Sequence, residues 1–176
     1  MSNNFTGCCS GGSACCPPQQ EKKRLLIDFL YLDLSVCTRC QGADNNLTQA
    51  IDEVSGVLEA AGFEIVVNKI NVTTKELAIK HQFLSSPTIR INGVDLELEV
   101  KESTCQECGD LCGDETDCRV WVYEGVEYTE PPKAMIINAI LKAVYSEHKA
   151  NTVIRNEYQL PDNLRRFFDA LERKGD

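Results

Sequence analysis

The sequence predicts one α/β domain with the element order βαβαββα, and three observations carry that prediction. Leu25 to Leu34 is a dense apolar run of strand length, the pattern of a strand covered on both faces. From Asp44, a candidate N-cap, Leu47, Ile51, Val54, Leu58 and Ala61 recur at helical spacing until Gly62. Phe63 to Ile70 then reads as a second strand, parallel to the first because a helix intervenes. Finally, Thr88 to Ile91 and Val94 to Val100 flank Asn92-Gly93, a strong hairpin signal.

The remaining elements follow in order. Thr73 with Glu76 forms a capping box for a short helix through about Phe83, which Ser85-Ser86-Pro87 ends. Arg119 to Tyr123 and Val126 to Tyr128 form a hairpin about Glu124-Gly125, with Trp121, Tyr123 and Tyr128 as core or cross-strand residues. Pro131-Pro132 precedes a helix whose Ile137, Ile140, Leu141 and Val144 share a face. A last helix starts near Pro161-Asp162 and presents Leu164, Phe167, Phe168 and Leu171 to the domain or to a second copy, so a homo-oligomer through this helix is the expected association.

Three segments result: a flexible cysteine-bearing tail over 1–22, a domain over 23–150 with a cysteine-rich insertion at about 101–118, and a helical extension over 151–176. The tail is Gly, Ser, Asn, Pro and Gln with few large apolar side chains, a composition that cannot offset its ordering entropy.

Charge narrows the function classes. At 176 residues, with 43% hydrophobic and 26% charged residues, the chain has ordinary globular usage. A net charge of -9 argues against nucleic acid, whose binding rests on Lys and Arg neutralising phosphates. Between Asp95 and Cys118 stand nine acids (Asp95, Glu97, Glu99, Glu102, Glu107, Asp110, Asp114, Glu115, Asp117) and one base, Lys101, a field that disfavours free thiolates unless a metal binds them. The N-terminal MSNNFTGCCSGG lacks the basic and apolar regions of a signal peptide, and Asp28 and Asp33 interrupt the most apolar stretch. The expectation is a cytoplasmic protein without membrane insertion.

In a reducing compartment, ten cysteines point to metal or redox chemistry before structural disulfides. Cys37 and Cys40 form a C-x-x-C between a strand and a helix. There, backbone N–H groups stabilise the first thiolate and a short disulfide can close, so Cys37 is the expected nucleophile and Cys40 the resolving thiol, with Arg39 as an electrostatic aid. A helix delayed to Asp44 by Gln41-Gly42-Ala43 would weaken that activation. Half-buried structural thiols, or half of a zinc site, are the plainer alternative.

This order, with Ser86-Pro87-Thr88-Ile89-Arg90-Ile91-Asn92-Gly93 after the second helix, resembles the thioredoxin-like superfamily over about Leu25 to Lys149. The resemblance implies a cis peptide bond before Pro87, with that proline lying against the C-x-x-C and shaping the substrate site. Val36 stands where an aromatic is usual, and the dipeptide between the cysteines is Thr38-Arg39. The acidic insertion, with C-G-D-E-T-D-C-R-V-W-V-Y-E-G-V-E-Y over 112–128, resembles a prokaryotic thioredoxin-like family labelled as a domain of unknown function.

Cys105, Cys108, Cys112 and Cys118 form a C-x2-C-x3-C-x5-C run that can supply four thiolates to tetrahedral zinc, with Gly109 and Gly113 letting the backbone wrap. Zinc leads as the cofactor; an iron–sulfur cluster takes the same donors, and two disulfides are the metal-free alternative. Cys8, Cys9, Cys15 and Cys16 form two vicinal pairs in the tail, suited to a soft ion and similar to pairs in metalloid-handling proteins, for which trivalent arsenic and mercury are targets. His81 and His148 read as surface residues.

Two functions compete on these residues. One is thiol-disulfide exchange with a protein disulfide or a thiol-bound metal or metalloid species. The other is soft-metal binding or delivery without turnover, or a zinc-stabilised interaction module.

Overall fold

The computed structural model describes residues 22–146 and 158–175 and has a mixed α/β architecture. The expected domain boundary near 150, His148 and the whole set Cys8, Cys9, Cys15 and Cys16 lie outside the described residues. Strand β1 (Lys23–Tyr31) is followed by α1 (Thr38–Ala60), β2 (Phe63–Asn71), α2 (Lys75–Lys80), β3 (Thr88–Ile91) and β4 (Val94–Asp95). The four strands form one sheet in the order β2-β1-β3-β4. β1 pairs parallel with β2 from Lys23↔Phe63 to Tyr31↔Asn71 and antiparallel with β3 from Ile27↔Ile91 to Leu30↔Thr88. A second sheet, in the order β5-β6-β7, holds β5 (Lys101–Thr104), β6 (Asp117–Tyr123) and β7 (Val126–Tyr128), with α3 (Gln106–Cys112) between its first two strands. Helices α4 (Lys133–Tyr145) and α5 (Asp162–Gly175) complete the described chain.

The alternation of β1 divides the core. Leu25, Ile27 and Phe29 face one way and pack with Leu47, Val54 and Leu58 of α1 and Ile136 and Ile140 of α4. Leu30, beyond that run, packs on the other side with Phe83, with Leu164, Phe167 and Phe168 of α5, and with six cysteines that include Cys37 and Cys40. Leu164, Phe167 and Phe168 of α5 are therefore used within the chain, against its own core. Lys174 donates to the carbonyls of Asp110 (3.2 Å) and Leu111 (2.9 Å) at the end of α3, and Lys75 of α2 pairs with Asp169 and with Glu172. These ties hold α5 across the insertion.

Three boundaries differ from the sequence expectation. Helix α1 starts at Thr38 because Cys37, in extended backbone, caps it: its sulfur accepts from the Cys40 amide at 3.4 Å. Asp44, the expected cap, lies inside the helix and pairs with Lys69 at 2.6 Å, while Ala43 is buried in the core. Helix α2 is capped by Thr74, whose hydroxyl accepts from the Leu77 amide at 3.3 Å, one residue after the expected Thr73. The strand expected over Val94 to Val100 stops at Asp95. The acids there serve as ties: Asp95 accepts from Arg90 Nε at 2.8 Å, and Glu97 accepts from the Val122 amide at 2.9 Å, joining the two sheets.

Candidate metal centre

The end of β1, the loop before β3 and the insertion converge on a group of sulfurs. The Sγ atoms of Cys37, Cys105, Cys108 and Cys118 all lie within 4.8 Å of one another, and all four residues are buried. Cys37 and Cys105 are 3.9 Å apart, and Cys108 and Cys118 are 3.5 Å apart. A tetrahedral ion with metal–sulfur bonds of about 2.3 Å requires sulfur–sulfur edges of ~3.8 Å. The donor set and spacing therefore fit one ion. A polynuclear cluster would place its own iron and sulfide atoms between the cysteines and push them further apart.

Local structure delivers each sulfur. Cys37 is the N-cap of α1 and its sulfur accepts from the Cys40 amide, while Cys105 stands in extended backbone immediately before α3 without a side-chain cap bond. Cys108 lies one turn into α3, in the knuckle arrangement of a C-x2-C. Cys118 comes back beside it on β6, whose register pairs it with Ser103. Gly113 ends α3 with φ at 81°, a left-handed turn that sends the chain back toward β6.

The two residues inside the C-x-x-C hold the insertion in place. Thr38 Oγ1 donates to Glu107 at 2.7 Å, and Glu107 also accepts from Cys105 Sγ at 3.4 Å. The Arg39 guanidinium donates to the Ser103 carbonyl and hydroxyl and to the Thr104 carbonyl at 2.7 Å, so this side chain, read from sequence as an electrostatic aid to Cys37, is occupied at the end of β5.

Electrostatics follow the packing. Hydrogen bonds from Cys105, and then from Cys108 and Cys118, hold the Cys37 thiol far below its ordinary value, and bonds from Cys108 and Cys118 lower Cys105. Cys108 and Cys118 are pushed up, each chiefly by its bond to Cys105. Four cysteine sulfurs this close make a donor set that a cation would complete by displacing the thiol protons.

Cys40 and Cys112 stand apart. Cys40 Sγ is 3.4 Å from Ser86 Oγ, and its thiol is pushed up, chiefly by its bond to Cys37 and then by burial. Ser86 also accepts from the Leu32 amide at 3.1 Å, and its carbonyl accepts from the Arg119 amide at 2.7 Å. The Ser86-Pro87 peptide bond is cis. Cys112 bonds to the Asp114 carbonyl (3.4 Å) and Thr116 Oγ1 (3.3 Å). Helical rise explains its separation: seven residues at ~1.5 Å each put Cys112 about 10 Å along α3 from Cys105, too far to share an ion with it. The sequence run thus contributes three sulfurs, and Cys37 takes the place expected for Cys112. The signal that could have found this was the helix itself, since C-x2-C-x3-C read as α3 leaves the knuckle short of ligands.

His81 is half-buried at the end of α2, away from the sulfurs. An open cleft of about 620 Å³, lined by Thr104, Cys105, Asp110, Asp114 and Thr116 among others, adjoins the centre on the Cys105 side. Among the described residues no disulfide joins the cysteines, and no helix is long and apolar enough to cross a membrane.

An uncharacterized protein of Archaeoglobus fulgidus is 32% identical over 98 residues, 54% of this chain and 69% of that protein. No solved structure matches the chain. Residues 25–140, a span that holds all four clustered sulfurs, match the family described as Domain of unknown function (DUF2703), and the chain belongs to that family.

Proposed function

We propose that this protein binds one soft metal ion, zinc before others, through the thiolates of Cys37, Cys105, Cys108 and Cys118, on a thioredoxin-like scaffold. The carrying observation is the mutual approach of four buried sulfurs within 4.8 Å. Reduced cysteines and the acidic insertion fit a cytoplasmic setting in which the ion, not a disulfide, joins the insertion to the scaffold. The order β2-β1-β3-β4, the C-x-x-C at the start of α1 and the cis bond before Pro87 support the thioredoxin-like reading.

Metal analysis of the freshly isolated full chain tests this. One ion per chain, lost in Cys37→Ser and retained in Cys112→Ser, is expected. A metal-free protein that takes up neither zinc nor cobalt would overturn the reading.

A second reading, thiol-disulfide exchange, is favoured by the Cys40 amide on the Cys37 sulfur at 3.4 Å beside the Ser86-Pro87 loop. Cys37 would attack a protein disulfide or a thiol-bound metalloid and Cys40 would resolve it. Both residues are fully buried, so a protein substrate reaches Cys37 only if the insertion moves. A disulfide-reduction assay separates the readings: exchange requires activity in the wild type that Cys37→Ser abolishes.

A further inference from the structure

Cys37 belongs to two arrangements at once. It is one of the four clustered sulfurs, and it is the first cysteine of a C-x-x-C whose second member, Cys40, lies outside that cluster. Cys37 is the N-cap of α1 and its sulfur accepts from the Cys40 amide at 3.4 Å, which sets the two side chains against each other; closing a disulfide then takes Cβ atoms about 4 Å apart, reached by a small backbone adjustment at the helix start. Cys40 Sγ lies 3.4 Å from the Ser86 hydroxyl and bonds to Cys37, and it is not one of the four clustered sulfurs.

We propose, resting on the metal-binding reading above, that Cys40 is a releasing thiol: oxidation by a small peroxide joins it to Cys37 and expels the ion. The Cys37 thiolate attacks one oxygen of hydrogen peroxide, the O–O bond breaks, hydroxide leaves and a sulfenic acid forms on Cys37. The Cys40 sulfur then attacks Cys37 Sγ, and its proton leaves with the departing hydroxyl as water. Two electrons pass from the two sulfurs to the peroxide, and a Cys37–Cys40 disulfide remains. A sulfur in that bond is no longer an anionic ligand, so the site falls to three thiolates and binds the ion more weakly. Burial selects the oxidant. With Cys37 and Cys40 fully covered, a molecule the size of peroxide reaches them where a protein disulfide does not, and the open cleft beside Cys105 gives the approach.

The test uses the zinc-loaded full chain, hydrogen peroxide and a chromophoric chelator, with the disulfide mapped by peptide mass spectrometry. Wild type is expected to release one zinc per chain as a Cys37–Cys40 disulfide appears, and to rebind it after thiol reduction. Cys40→Ser and Cys40→Ala are expected to hold zinc at the same stoichiometry before oxidation. Both should then release it at least tenfold more slowly, without recovery on reduction. Release from both variants at the wild-type rate, or a mapped disulfide joining Cys105, Cys108 or Cys118 instead, would overturn the proposal. A wild-type chain that takes up no zinc before any peroxide is added would overturn the metal-binding reading itself.

Discussion

The Arg39 guanidinium donates to the carbonyl of Thr104 at 2.7 Å, reaching from the middle of the C-x-x-C to the residue just before Cys105. This contact and its companions at Ser103 fix the distance between two parts of the metal centre that are far apart in sequence. Partners that orient ligands in this way are commonly worth roughly 10–100-fold in metal affinity. Arg39→Ala is expected to weaken zinc binding by about that factor while keeping one ion per chain, as read by competition with a chelator. Unchanged affinity would leave Arg39 without a role at the site.

Ligand identity makes a sharper prediction. Cys118→Ser is expected to lower affinity by well over the ~100-fold seen for supporting residues, because a thiolate is removed from the ion itself. Cys112→Ser alters bonds to Gly109, Asp114 and Thr116 and touches none of the clustered sulfurs; it is expected to cost about 1 kcal/mol of stability and should leave affinity unchanged. Parallel denaturation and zinc titrations separate the two, and equal loss of affinity in both would restore the four-cysteine run as the ligand set.

Helix α5 covers the cysteine side of the core with Phe167 and Phe168, both nearly inaccessible and in edge contact at a centroid distance of 5.4 Å. Phe167→Ala is expected to cost about 3–5 kcal/mol of stability and to speed exchange of bound zinc for cobalt, since the cavity admits water toward the sulfurs. Exchange at the wild-type rate in a folded variant would show that the ion leaves by another route.

Tyr158 donates to the Phe83 carbonyl at 2.7 Å, and burial raises its hydroxyl to about 12 from an unfolded value near ~10. A pKa raised by folding gives stability that is complete below the unfolded value and is lost as pH climbs through the folded one. The stability difference between wild type and Tyr158→Phe should therefore be constant from about pH 7 to 9 and shrink between about pH 10 and 12. Chemical denaturation across that range checks it; a constant difference would contradict the buried hydrogen bond.

Much of this fold was legible because its signals are local. The apolar run at Leu25, the helical period from Leu47 to Leu58 and the Asn92-Gly93 turn all correspond to β1, α1 and the β3–β4 turn. Boundaries failed where an unexpected cap won, as at Cys37, whose sulfur caps α1 seven residues before the expected cap Asp44. The site was half legible. A knuckle at Cys105 and Cys108 is visible in spacing, but its pairing with Cys37 across 68 positions depends on how the insertion docks, through Thr38 and Arg39. No periodicity in the chain reports such a contact.

The central claim concerns the number and kind of atoms around one ion, and X-ray absorption at the metal edge of the zinc-loaded full chain reads that directly. Four sulfurs at about 2.3 Å with no second metal nearby is the expected result. Nitrogen or oxygen in the first shell, or a metal–metal distance, would contradict a single ion held by Cys37, Cys105, Cys108 and Cys118.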